Sequence, residues 1–357
     1  MISEKTVLDA LSKVDDPDQK KDLVTLGMIR DIRISDERIG FSLVIPSPAY
    51  PMKEQIHQAC VNAIHNHIDT KYEVDVHMTA EISQQVKKDE RLKNIKNIVA
   101  IASGKGGVGK STVTANLAVS LSKLGAKVGI IDADIYGPSM PIMFNLEDQK
   151  PGITYINGES KIVPLENHGI KVLSIGFLIK EDQAVVWRGP MVTKALRQFL
   201  YDADWGELDY LLIDLPPGTG DIQLSLTQMV AMSGAVFVTT PQKVAMTDVN
   251  KSINMFSLPT AKVKVLGIIE NMAYFVPEDM PDKKYFIFGE NGGKEVAKKF
   301  NKPFLGQIPL VQGIRKGGDE GTPFSLEQDH PISIAFKEIA ETLTQQVDIK
   351  NTNFVTA

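Results

Sequence analysis

The chain has 357 residues, 43% hydrophobic and 23% charged, which is ordinary for a folded protein and long enough to predict two domains. A net charge of −5 supplies no basic field for nucleic acid, and no apolar run approaches the ~20 residues of a membrane span, so neither partner is expected. The one cysteine, Cys60, excludes an intrachain disulfide; together with an N-terminus lacking a signal-like apolar stretch, it makes a cytoplasmic location the expectation.

Residues 1–85 read as a small α/β domain. Val7, Leu8 and Leu11 mark a helix that ends at the Asp15-Asp16-Pro17-Asp18 turn. Met28–Ser35 and Ile39–Ile45 alternate like strands around a polar turn, and Pro46-Ser47-Pro48 stops the second. Met52–Ile68 reads as an amphipathic helix and Tyr72–Ile82 as a strand. Residues 86–96 are a charged linker. Residues 97–347 then alternate strand and helix, with strands expected at Ile98–Ala102, Val128–Asp132, Val172–Ile175, Tyr210–Asp214, Ala235–Thr239 and Val263–Glu270. Short, β-branched, uniformly apolar strands between helices predict a mostly parallel sheet covered by helices on both faces. Residues 348–357 read as a polar tail.

The first of those strands runs into Ser103-Gly104-Lys105-Gly106-Gly107-Val108-Gly109-Lys110-Ser111-Thr112, and a helical pattern follows from Val113. Gly104 to Ser111 fits G-x-x-x-x-G-K-[ST] in the strand–loop–helix setting of a P-loop. Glycines let backbone N–H groups converge on phosphate, and the helix N-terminus adds a favourable partial charge. Lys110 suits the β/γ-phosphates of ATP, and the Ser111 hydroxyl suits Mg²⁺. Gly104, Gly106 and Gly109 also spell the dinucleotide fingerprint, with Asp132 as its acid. The Lys110-Ser111 pair and a second acidic strand end favour the triphosphate.

Asp132 and Asp134 close a strand at i, i+2, so both side chains point to one side. Asp134 is read as the residue that orients attacking water, and Asp132 as a Mg²⁺-shell or structural group. Asp214 ends another apolar strand, where an acid contacts Mg²⁺. Gly218, four residues on, offers an N–H suited to sensing the γ-phosphate. Asn271 ends a late strand with the donor and acceptor that an adenine edge matches, though such an asparagine is also a common turn residue. Lys105, just after the first glycine, is unneeded in an ordinary P-loop.

Lys105 marks the deviant P-loop of the MinD/ParA and nitrogenase-iron-protein class. Together with Asp132–Ser139, Trp187–Met191, Asp209–Asp221, Glu270–Val276 and Gly306–Phe324, the loop resembles the Mrp-type ATPases, a family of iron–sulfur cluster carriers. Residues 1–85, with Asp15-Asp16-Pro17 and Leu26-Gly27, are similar to the small metal–sulfur cluster assembly domain fused ahead of such ATPases. The resemblance implies a P-loop NTPase that binds and hydrolyses ATP as a homodimer, with Lys105 reaching the partner's nucleotide, and that passes clusters to apoprotein clients. It also implies a C-x-x-C pair after the Asn-Met-x-Tyr-Phe segment. Here Pro277 and Met280 stand at those positions, and Pro48-Ala49-Tyr50-Pro51 replaces a Pro-Ala-Cys-Pro-like segment of the first domain. No ligand set for an iron–sulfur cluster is identifiable. Cys60 shares a helix face with Ile56, Ala63 and Ile64, the pattern of a core thiol, and His57, His65 and His67 scatter around that helix. Trp187 and Arg188 suit either a dimer or client contact or a packed junction, and Tyr274, Phe275, Tyr285, Phe286 and Phe288 suit a client surface but read more readily as an apolar flap on the sheet.

Overall fold

The computed structural model describes residues 2–17, 20–45, 52–80, 89–178, 189–258, 261–277, 279–280 and 282–353. Pro48–Pro51, Trp187 and Arg188 lie outside the described residues, as does the linker up to Lys88. The chain forms two compact units, one of residues 1–85 with 344–357 and one of residues 86–343.

In the first unit, α1 (Glu4–Leu11) starts at Ser3, whose side chain caps the Thr6 N–H. It is followed by β1 (Ile29–Ile34), β2 (Arg38–Ile45), α2 (Lys53–His67) and β3 (Glu73–Ala80). β1 pairs antiparallel with β2 across a tight turn. β2 pairs parallel with β3, a connection that needs the α2 crossover. Val7, Leu11, Phe41, Leu43, Ile56 and Ile64 form the core, and Cys60 is fully buried among them.

The second unit begins with β4 (Ile95–Ser103), α3 (Lys110–Lys123), β5 (Val128–Asp132) and α4 (Met140–Met143). An antiparallel hairpin, β6 (Gly152–Ile156) with β7 (Glu159–Val163), stands apart from the main sheet. Then come β8 (Leu165–Asn167), β9 (Ile170–Ser174), α5 (Gly189–Tyr201), β10 (Leu208–Asp214), α6 (Asp221–Met229), β11 (Gly234–Thr239), α7 (Lys243–Phe256) and β12 (Val265–Glu270). α8 (Gly292–Phe300), β13 (Phe304–Gln307), α9 (Gln312–Asp319) and α10 (Pro331–Asn353) complete the chain. α10 continues to Asn353, through the first six residues of the segment read as a polar tail, and Asp348 is buried.

The main sheet has the order β13-β12-β11-β4-β10-β5-β9-β8 and is parallel except at β8. Every residue of β5, β10, β11 and β12 is buried, as a parallel sheet covered on both faces requires. From β4 the chain runs outward to β5, β8 and β9. It returns to insert β10 beside β4, and then crosses to the other side as β11, β12 and β13. The carboxyl end of β4 therefore sits where the winding reverses, the usual position of a ligand crevice in such sheets. Register sharpens this: Asp214 lies beside Asp132, and Asp132 beside Ser174, on adjacent strands.

Candidate nucleotide site

β4 ends at Ser103 and α3 starts at Lys110, so the glycine-rich loop spans the gap between them. Gly104 is pressed against α7, where a Cβ would collide with the Asp248–Val249 peptide. Gly109 caps α3 at φ 78°, a left-handed conformation that glycine adopts freely. A Cβ there would meet the Asn271 side chain. A cavity of about 240 Å³ opens over the loop, lined by Lys105 to Thr112 together with Asp134 and Pro217.

Lys110 is the buried centre of the site. Its Nζ lies 2.7 Å from Asp214 Oδ2 and 3.8 Å from Asp134 Oδ2. Ser111 Oγ donates to the same Asp214 oxygen at 2.6 Å. Thr114 Oγ1 donates to the other Asp214 oxygen at 2.7 Å. Thr114 was missed in the sequence, although its place four residues after Lys110 puts both on one helix face. The Ser111 hydroxyl and the Asp214 carboxylate are hard oxygen donors of the kind Mg²⁺ takes, so these residues fit that ion.

The two acids after β5 differ in environment. Asp132 is fully buried; its Oδ1 accepts from the Asp134 N–H at 3.2 Å. Its Oδ2 accepts from the Met140 N–H at 3.1 Å and from Ser174 Oγ at 2.9 Å. These contacts tie β5 to α4 and β9. Burial, reinforced by the nearby Asp214 carboxylate, pushes its carboxyl up to about 7. Asp134 lines the cavity and accepts the Tyr136 N–H at 3.2 Å. Burial raises its carboxyl above the ordinary carboxylate range, with the Lys110 ammonium opposing.

Two expected nucleotide contacts are engaged within the protein. Asn271 Nδ2 donates to the Val108 carbonyl at 2.8 Å, so this amide braces the loop. The Gly218 N–H donates to the Ser103 carbonyl at 2.9 Å, which fastens the turn after β10 to the start of the loop. Lys105 is exposed, and among the described residues its side chain has no partner within the chain.

The described residues do not fit an iron–sulfur cluster. Cys60 is 0% exposed in the first unit's core, and burial pushes its thiol up to about 12. No group of three or more His, Cys, Asp and Glu side chains is arranged for a metal among the described residues. Pro277 and Met280 form a turn, with the Met280 N–H donating to the Pro277 carbonyl at 3.2 Å. Proline offers no ligand atom, and a thioether is a poor substitute for thiolate. The neighbouring aromatic flap is only partly packed: Phe275 pairs with Tyr285, yet Tyr285 and Phe286 are exposed. Among the described residues, no helix is long and apolar enough to cross a membrane.

The family model described as "NUBPL iron-transfer P-loop NTPase" matches residues 94–344, and that described as "Iron-sulfur cluster assembly protein" matches residues 4–77. The iron-sulfur cluster carrier protein of Synechocystis sp. is 46% identical over 98% of this chain and 99% of its own length. That of Escherichia coli K12 is 39% identical over 96% of this chain and 91% of its own. A nucleotide-binding protein from Archaeoglobus fulgidus, solved with ADP, is 43% identical and superimposes with a TM-score of 0.58, covering 67% of this chain and 92% of that one. The loop, the acidic strand ends and these matches agree: the chain belongs to the NUBPL iron-transfer P-loop NTPase family.

Proposed function

We propose that this protein is a Mg²⁺-dependent ATPase that works as a cytoplasmic homodimer in iron–sulfur cluster delivery to apoprotein clients. The observation that carries the ATPase reading is the contact set of Asp214, which holds Lys110, Ser111 and Thr114 at once. Lys110 and the loop N–H groups bind the phosphates, while Ser111 and Asp214 hold the cation that neutralises charge on the transferring group. One lysine faces the acids Asp134 and Asp214, a negative excess that a divalent cation offsets. Asp134 positions the attacking water, and Asn271 keeps the loop in register while its Oδ1 remains for the base.

Lys105 supplies the cross-dimer cation. Its exposure at the rim of the cavity supports that role. The test is light scattering with MgATP. The wild-type mass of 39.3 kDa should rise to about twice that value, and Lys105→Ala should remain monomeric. An equal shift in both proteins removes Lys105 from the interface.

A second reading concerns the cluster and is favoured by the buried state of Cys60. In it the protein is an ATP-gated scaffold whose clients or assembly partners hold the cluster. Anaerobic reconstitution with iron and sulfide, followed by gel filtration, separates the two. A retained stoichiometric cluster supports a carrier with its own ligands, and its absence supports the scaffold.

A further inference from the structure

No sequence motif singles out Gln223, yet it grips the turn that follows Asp214. It lies in the first turn of α6 and is 2% exposed. Its Nε2 donates to the carbonyls of Pro216 at 2.8 Å, Gly218 at 3.2 Å and Pro217 at 3.3 Å. Three carbonyls around one atom fix which end of the carboxamide faces the turn, because an oxygen there would meet only acceptors. The other end, Oε1, is buried without a hydrogen-bond partner. Such an orphan acceptor is costly, and folded proteins keep few of them.

The gripped turn also touches the site. Pro217 lines the cavity, and the Gly218 N–H is fastened to Ser103 at the mouth of the loop. Ser252 Oγ, from α7, donates to the Gly218 carbonyl at 3.3 Å. Gly218 sits at φ 91°, in a region where glycine moves easily to other backbone states. On the far side, Oε1 lies against Gly220, 3.3 Å from where a Cβ would stand.

We propose that Gln223 is a positioning residue, a two-sided latch that sets where the 216–218 turn stands over the phosphate loop. The proposal rests on the ATP reading above. With Nε2 engaged, the latch holds the Gly218 N–H on Ser103. When that N–H swings toward the cavity, the three carbonyls leave Nε2, and a backbone N–H of the following glycine segment satisfies Oε1. The orphan acceptor narrows the energy gap between the two arrangements, which is what lets a modest ligand preference move the turn.

The test uses the full chain with Gln223→Leu, which keeps the bulk and removes both polar ends. Amide hydrogen exchange in the segment 214–222 should rise about tenfold without nucleotide, while the melting temperature stays within about 3 °C of wild type. Turnover should fall about tenfold with KM for MgATP unchanged within about threefold, the split expected of a group that acts on the turn. Unchanged exchange, or KM rising in step with the loss of turnover, overturns the latch. If Gln223→Leu does not fold, Gln223→Met carries the same measurements. A wild-type protein without turnover would refute the ATP reading, and the exchange comparison would still decide the latch.

Discussion

The contact between Gly109 and Asn271 can be tested as a coupled pair. Alanine at 109 carries two costs. Its left-handed φ of 78° costs an alanine about 1–2 kcal/mol. Its Cβ also collides with Asn271, breaking the bond to Val108 and leaving a buried carbonyl unpaired, which costs about 1–3 kcal/mol more. Gly109→Ala should therefore destabilise the second unit by about 2–5 kcal/mol. Asn271→Ala alone loses only the hydrogen bond, about 1–3 kcal/mol. The double variant cannot lose that bond twice, so it should fall short of additivity by about 1–3 kcal/mol. Gly107→Ala is the control: φ is 80° but no atom lies within 4 Å of its Cβ, so only the backbone cost of about 1–2 kcal/mol applies. Urea unfolding followed by tryptophan fluorescence reads these values, since Trp205 is buried in the second unit. Additivity within about 0.5 kcal/mol would refute the proposed bracing of the loop by Asn271.

Thr114→Val keeps the shape but removes a buried hydrogen bond to a carboxylate, so stability should fall by about 1.5–3 kcal/mol in the same assay; a change below about 0.5 kcal/mol means Asp214 does not need that partner. Asp132 gives a pH signature. Its carboxyl stands at about 7 when folded against an ordinary 3.8, so its contribution is full below about 4 and is lost as pH rises through 7. The wild-type melting temperature should therefore carry a downward slope between pH 4 and 8, and Asp132→Asn should flatten it. Cys60, with its thiol at about 12, leaves only about one thiolate in ten thousand at pH 8. A thiol reagent should label it only in denaturant, and rapid labelling of the native chain would contradict its place in the core.

Much of the site is legible because its residues end apolar runs. Asp132 and Asp214 each end a strand whose every residue is buried, and the loop follows β4, buried at all but Lys96; such strands stand out in any sequence. The β6–β7 hairpin is not legible: Ile153 and Tyr155 face solvent, so no burial pattern marks it. β8 and β13 are three and four residues long, too short to show a period. Partner choice is also hidden. A terminal carboxamide states that Asn271 can donate, yet only the fold directs that donor to Val108 rather than outward. The same holds for Gly218, whose N–H is taken by Ser103, and for Gln223, whose helix position says nothing of the turn beneath it. The final helix runs on to Asn353, which the polar composition after Asp348 conceals.

The most direct measurement is Mg²⁺-dependent phosphate release from ATP by the full chain, with Lys110→Ala assayed beside it. Steady release is expected from the wild type, with its loss when Mg²⁺ is chelated and a fall of about a hundredfold or more in Lys110→Ala. A silent wild type, or a Lys110→Ala protein that matches it, would contradict the central claim that this loop hydrolyses ATP.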